Sequence, residues 1–221
     1  MMAKETNGRP RPPLAFGILD PVTTDRFSLR LEVMLFTTNQ LRQFVKVLLT
    51  GNWQMGGTEF EKSAADLFGA TEETFNEDVF AKELEKAIAF LNTLTDAIPQ
   101  WRKIAGLRGI SSNAVRDLRQ EGHVCLSVSG LLILAKIGHE LFKENVADWR
   151  QYAEKLGQLE WSKSGKLWQG NVVATNGRIL THQNLIRQAI TKVRDAIGWQ
   201  PSANGDLPQI PMSATKEESS N

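Results

Sequence analysis

From Val124 to Ala135 the chain runs without a single charged residue, and apolar side chains continue on nearly every side of the helix that the spacing predicts through Leu141. A helix that is apolar all round has no face for water, so it belongs in the middle of a fold with other elements packed about it. The uncharged run is far shorter than the roughly 20 residues needed to cross a bilayer, so a buried centre is expected and a membrane span is not. Gly130 and Gly138 lower its helix propensity by about 1 kcal/mol each relative to alanine, a cost that usually reflects close approach of another helix. Cys125, the lone cysteine, sits in the same run. It cannot form an internal disulfide, which is compatible with a reducing cytoplasm, and it reads as a small core residue rather than a reactive thiol.

Helices that could surround this centre are legible on both sides. Leu29 to Phe36 alternates loosely. Thr37 or Thr38 then offers a capping hydroxyl to a helix whose Leu41, Phe44, Val45, Leu48 and Leu49 share one face, with Gly51 as a stop. Beyond the loop Asn52 to Gly57, Thr58 and Glu61 have the spacing of a capping box for a short helix through Leu67. Asn76 to Ala97 sets Val79, Phe80, Leu84, Ala87, Ile88, Leu91 and Leu94 three and four apart, and Pro99 ends it. Ser111 or Ser112 caps a helix carrying Val115 and Leu118, and Asn145 or Asp148 begins another through Leu156. Near the end the period changes. Val172-Val173, Asn176-Gly177 and Ile179-Leu180 form the pattern of a two-stranded ribbon closed by a type I′ turn. Thr181 or Asn184 then caps a last helix with Leu185, Ile186, Ala189, Ile190, Val193 and Ile197 inward, stopped by Gly198. The fold class expected is mainly α: one helical domain over residues 21–199 with one small β-hairpin near its C-terminus, a disordered leader over 1–20 and a disordered tail over 200–221.

The 26 basic and 25 acidic residues nearly cancel, so no global basic field points to nucleic acid. Locally the balance differs. Trp101 to Arg119 holds Arg102, Lys103, Arg108, Arg116 and Arg119 against Asp117 alone, and such a cluster can neutralise phosphates with release of counterions. Three readings stand open: a solvated basic loop between core helices, direct phosphate contact, or a helix-turn-helix, against which Gly106 in the would-be first helix argues. Lys163, Lys166, Arg178, Arg187, Lys192 and Arg194 form a second cluster around the ribbon and last helix. Trp161 and Trp168 are either core anchors that support it or exposed platforms for a base.

Chemistry finds little foothold. His123, His139 and His182 are joined by no carboxylate or cysteine at metal-ligand spacing, and His139-Glu140 lacks the second histidine of H-E-x-x-H. No metal or cofactor is expected. Gly165-Lys166 has no preceding glycine at P-loop spacing, and no serine lies in a nucleophile elbow, so the chain is not expected to be an enzyme by itself.

Rare residues in order carry a resemblance. Leu35-Phe36-Thr37, then Ile98-Pro99-Gln100-Trp101, then Val115-Arg116 with His123, Leu126, Ile137 and Gly138, then Leu159-Glu160-Trp161-Ser162-Lys163-Ser164 and Leu167-Trp168-Gln169-Gly170 resemble the L-F-T, I-P-x-W, V-R, H-g-v-x-L and l-G-x-x-G, W-S-R-S-N and l-W-e-G-R stretches of the DNA sulfur modification protein DndB family. Gly165 stands where that family usually has Asn, and Asn171 where Arg usually follows. The D-G-Q-H-R sequence of the family's other half is absent, so the chain looks like the C-terminal half. The resemblance implies a component of the DNA phosphorothioation system, a DNA-binding regulator without a complete active site, cytoplasmic, with DNA contacted weakly at Arg102, Lys103, Arg108, Arg116 and Arg119. Its implied partners are DNA, other DNA sulfur modification proteins and, in the alternative reading, a separate D-G-Q-H-R-bearing chain on which it docks. A free-standing helix-turn-helix repressor is the third possibility.

Overall fold

The computed structural model describes residues 35–54, 56–68, 76–105 and 112–201. The expected leader, the expected tail beyond Pro201, the alternating stretch before Leu35, Arg108 and the Ser111 cap lie outside the described residues. Within them the chain is mainly helical: α1 (Thr38–Thr50), α2 (Gly57–Leu67), α3 (Glu77–Ala97), α4 (Pro99–Ala105), α5 (Ser112–Gln120), α6 (Val128–Lys143), α7 (Trp149–Gln158) and α8 (Gln183–Ile197), with a 3-10 turn at Val124–Leu126 ahead of α6.

α6 is the centre that its composition demands. It packs against α1, α7, α8 and the 3-10 turn. Its helix starts later than Val124, because Ser127 takes the cap: the Ser127 hydroxyl accepts from Gly130 N at 3.1 Å and itself donates to the Val124 carbonyl at 2.7 Å. Close approach at Gly138 is confirmed, since a Cβ there would lie 2.6 Å from Leu48 Cδ1 and from Phe90 Cε1. Each large apolar side chain buried around α6 contributes about 1.5–3 kcal/mol relative to exposure, so this seam holds α1 and α3 to the centre.

Local signals set most helix ends. Thr37 caps α1 in a reciprocal box with Gln40, and Gly51 stops it in the left-handed conformation. Asn76 caps α3 through Val79 N at 3.0 Å. Pro99, which cannot continue a helix, ends α3 after an extended Ile98 and starts α4 at the position where a missing N–H costs nothing. Three expected caps are not formed. α2 begins at Gly57 with Gly56 as its cap, so Thr58 falls inside the helix and the Thr58–Glu61 box does not close. α8 is preceded by His182, neither Thr181 nor Asn184. Asp148 stands before α7 without a side-chain bond, while Asn145 lies in the preceding loop at φ 49°.

The expected ribbon is short: Val173 bridges Ile179 antiparallel, Leu180 N donates to the Val172 carbonyl at 2.8 Å and Ala174 N to the Arg178 carbonyl at 2.9 Å, without extended strands. Its turn is not type I′. That turn needs two consecutive residues at positive φ. Here Gly177 alone has it, after a turn closed by Gly177 N donating to the Ala174 carbonyl at 2.8 Å. The segment Glu160 to Asn171 ahead of it is an ordered loop, folded over two stacked indoles.

Candidate nucleic-acid interface

α4 buries Trp101 and Ile104, and at 3.6 residues per turn that points Arg102 and Lys103 outward. α5 buries Val115 and Leu118, which leaves Arg116, Asp117, Arg119 and Gln120 exposed. Both helices thus present cations for the same reason: a short apolar edge is consumed by the core. Lys103 approaches Glu121 at 3.8 Å, and Arg116 its neighbour Asp117 at 3.7 Å. Arg119 is used differently, since one guanidinium nitrogen donates to the Leu35 carbonyl at 2.7 Å and ties the entry of α1 to α5.

Behind this surface runs a chain of polar contacts. His123 meets Glu121 at 3.0 Å through Nε2 and Gln100 at 3.4 Å through Nδ1. The Cys125 thiol lies 3.8 Å from Gln100 Oε1, and burial pushes it far above the usual thiol range. It is a core residue, as its neighbours foretold. Trp101, 2% exposed, donates its indole N–H to the Cys125 carbonyl at 3.2 Å and takes the Phe36 ring edge-on at 5.2 Å.

Two stretches far apart in sequence join here. His123 and Ser162 form an antiparallel bridge in which Val124 N donates to the Trp161 carbonyl at 2.7 Å and Lys163 N to the Gly122 carbonyl at 3.0 Å. Gly122 is at φ 72°, and a Cβ there would sit 2.8 Å from Lys163 Cδ. Glycine is required by both backbone and neighbour. The first basic cluster therefore abuts Lys163 of the second. No local pattern signals that join, and Glu121, the carboxylate facing Lys103, lies two residues beyond Arg119, outside the basic run.

Trp161 and Trp168 are core anchors, not base platforms. They are 2% and 0% exposed and stack at 4.7 Å with 21° between planes. Their indole nitrogens donate to the Leu156 carbonyl at 2.9 Å and the Glu160 carbonyl at 2.6 Å. A model of the DndB family, described as DNA-sulfur modification-associated, matches residues 30–200. The chain belongs to the DndB family. No curated protein and no solved structure matches it.

The DndB-like landmarks turn out to be scaffold. Trp101, Trp161 and Trp168 fill the core, and Asn171, where Arg usually follows in the DndB pattern, is buried and donates to the Leu167 carbonyl at 2.9 Å. The histidines do not converge. His139 is held inside against α1, its Nδ1 3.1 Å from the Leu48 carbonyl, and burial with Lys136 beside it lowers its pKa to about 4. Among the described residues no group of three or more His, Cys, Asp or Glu is arranged to hold a metal ion. No described helix is long and apolar enough to cross a membrane.

Proposed function

We propose that this DndB-family protein binds duplex DNA through the α4–α5 surface as a regulator of DNA sulfur modification, and carries out no reaction of its own. Family membership supports the link to DNA sulfur modification over an unrelated repressor. The observation that carries the reading is that α4 and α5 each spend their apolar edge on the core and turn Arg102, Lys103 and Arg116 to solvent. Phosphate contacts of this kind position a protein on DNA and make its affinity fall steeply with salt. Arg119 contributes by holding the surface together through Leu35, and Arg108 extends the same cluster in sequence.

The test is binding of a labelled duplex across a salt series. Arg102→Ala with Arg116→Ala should flatten the slope of log affinity against log salt by about 1.8, about 0.9 for each lost phosphate contact. Arg119 is left intact, because its removal also releases Leu35. A double variant with the parent slope sinks the assignment.

A further inference from the structure

We propose that the loop Ser162–Lys166 and Lys103 form one seam for consecutive backbone phosphates of duplex DNA, with Glu121 as the internal carboxylate that those phosphates displace. The inference rests on the DNA-binding reading above and assigns it a second, discontinuous segment.

Rigidity is the first argument. The loop lies between Trp161 and Trp168, whose stacked rings form its floor. Gly165 N donates to the Ser162 carbonyl at 2.8 Å, Trp168 N to the Gly165 carbonyl at 3.1 Å, and Gln169 Nε2 to the Lys163 carbonyl at 2.6 Å. The Ser162 and Ser164 hydroxyls sit 2.7 Å apart, and Ser164 N donates to Ser162 Oγ at 3.3 Å. Meanwhile Lys163, Ser164 and Lys166 are exposed. Hydroxyl donors and ammonium groups on a pre-ordered loop are the groups that hold phosphate oxygens, and little freedom remains to be lost when they do so.

Position is the second. The Lys163 stem lies along Gly122, its Nζ 3.1 Å from where a Cβ would be. Gly122 directly follows Glu121, whose carboxylate accepts from His123 and faces Lys103 at 3.8 Å. Glu121 thus faces the Lys103 ammonium directly and precedes the glycine along which the Lys163 stem lies, so one carboxylate marks the place where the two segments meet. The Lys103 and Glu121 side chains are 65% and 47% exposed, and an ion pair so open to water is weakly held and yields to a polyanion.

The experiment measures anisotropy of a labelled duplex with the full chain from 50 to 200 mM salt. Lys163→Ala with Lys166→Ala should make the salt slope shallower by about 1.8. Glu121→Gln should tighten binding several-fold at the lowest salt, a gain that misfolding does not produce. A loop variant with the parent slope, or a Glu121→Gln protein of unchanged affinity, overturns the seam. If Arg102→Ala with Arg116→Ala weakens binding while the loop variant does not, the seam alone is wrong. If the parent shows no salt-dependent binding, the DNA reading falls and takes the seam with it. Near-ultraviolet dichroism of the stacked tryptophans checks that the loop variants keep their floor.

Discussion

Residues 57–97 and the two stretches that meet at Gly122 have opposite character. The first holds ten acidic residues against three basic. Residues 101–119 hold five basic against one acidic, and 161–199 six against one. The difference extends to packing. α2 and the start of α3 meet in a small cluster around Ala64 and Phe68, with Phe60, Val79, Phe80 and Leu49 against it. The basic side is braced on Trp101, Trp161 and Trp168 within the main core. A net charge of +1 therefore says little about partners. Stretches of opposite charge offset one another, and the cationic ones are braced by indoles in the main core, to which the acidic stretch contributes Ala87, Phe90 and Leu94 of α3.

The sharpest way to break this comparison is to remove a brace from each side. Trp168→Ala should cost about 3–5 kcal/mol in urea denaturation and lower DNA affinity with it, since the loop floor is lost. Phe68→Ala should cost about 3 kcal/mol or less, with faster amide exchange confined to α2 and unaltered DNA binding. Equal, global losses would show that the two sides are not separately held. Next in size is the buried pair between α6 and α8, where Arg194 reaches both carboxylate oxygens of Glu140, through Nε at 2.9 Å and again through NH2. Arg194→Ala leaves that carboxylate with only the longer Lys136 contact at 3.9 Å and should cost about 3 kcal/mol, more than Arg194→Lys, by the same denaturation assay. Smaller still is a charge test of the comparison itself. Glu59→Gln with Glu61→Gln on α2 should leave the salt slope of DNA binding unchanged, whereas Glu121→Gln alters affinity.

A further test concerns pH. His139 titrates near 4 in the folded protein against 6.5 for a free imidazole, so between those values the unfolded chain binds the proton that the native state refuses. Stability rises with pH where the unfolded state binds more protons, and His139 therefore weakens the fold progressively as pH drops from about 6.5 toward 4. His139→Asn, which keeps a donor for the Leu48 carbonyl, should show a smaller loss of urea midpoint between pH 7 and pH 5 than the parent. An identical loss would assign the acid sensitivity elsewhere.

Reading the residues in order recovers the central helix, the Thr37 cap, the Gly51 and Gly198 stops and the buried nature of Cys125, all of which depend on neighbours within a few positions. It misses Phe90, which meets Phe44, Phe142 and Trp149, because an apolar residue beside a helical stripe looks like any other until its partners arrive. It mistakes the type of the turn for a similar reason. Asn176-Gly177 is a turn signal, but the backbone puts positive φ on Gly177 alone, while Val172 and Val173 are at once buried in the core and paired with Leu180 and Ile179.

Helix period, the Thr37 cap, the glycine stops and the identity of the family were thus determined by the sequence alone, since each rests on residue types at short, fixed spacings. The tertiary structure decided which surface the cations share. The Gly122–Lys163 contact, the Arg119 bond to Leu35 and the Trp161–Trp168 stack depend on the angles at which buried edges pack. Such angles follow from the shapes of side chains that meet only after folding, and no local pattern encodes them.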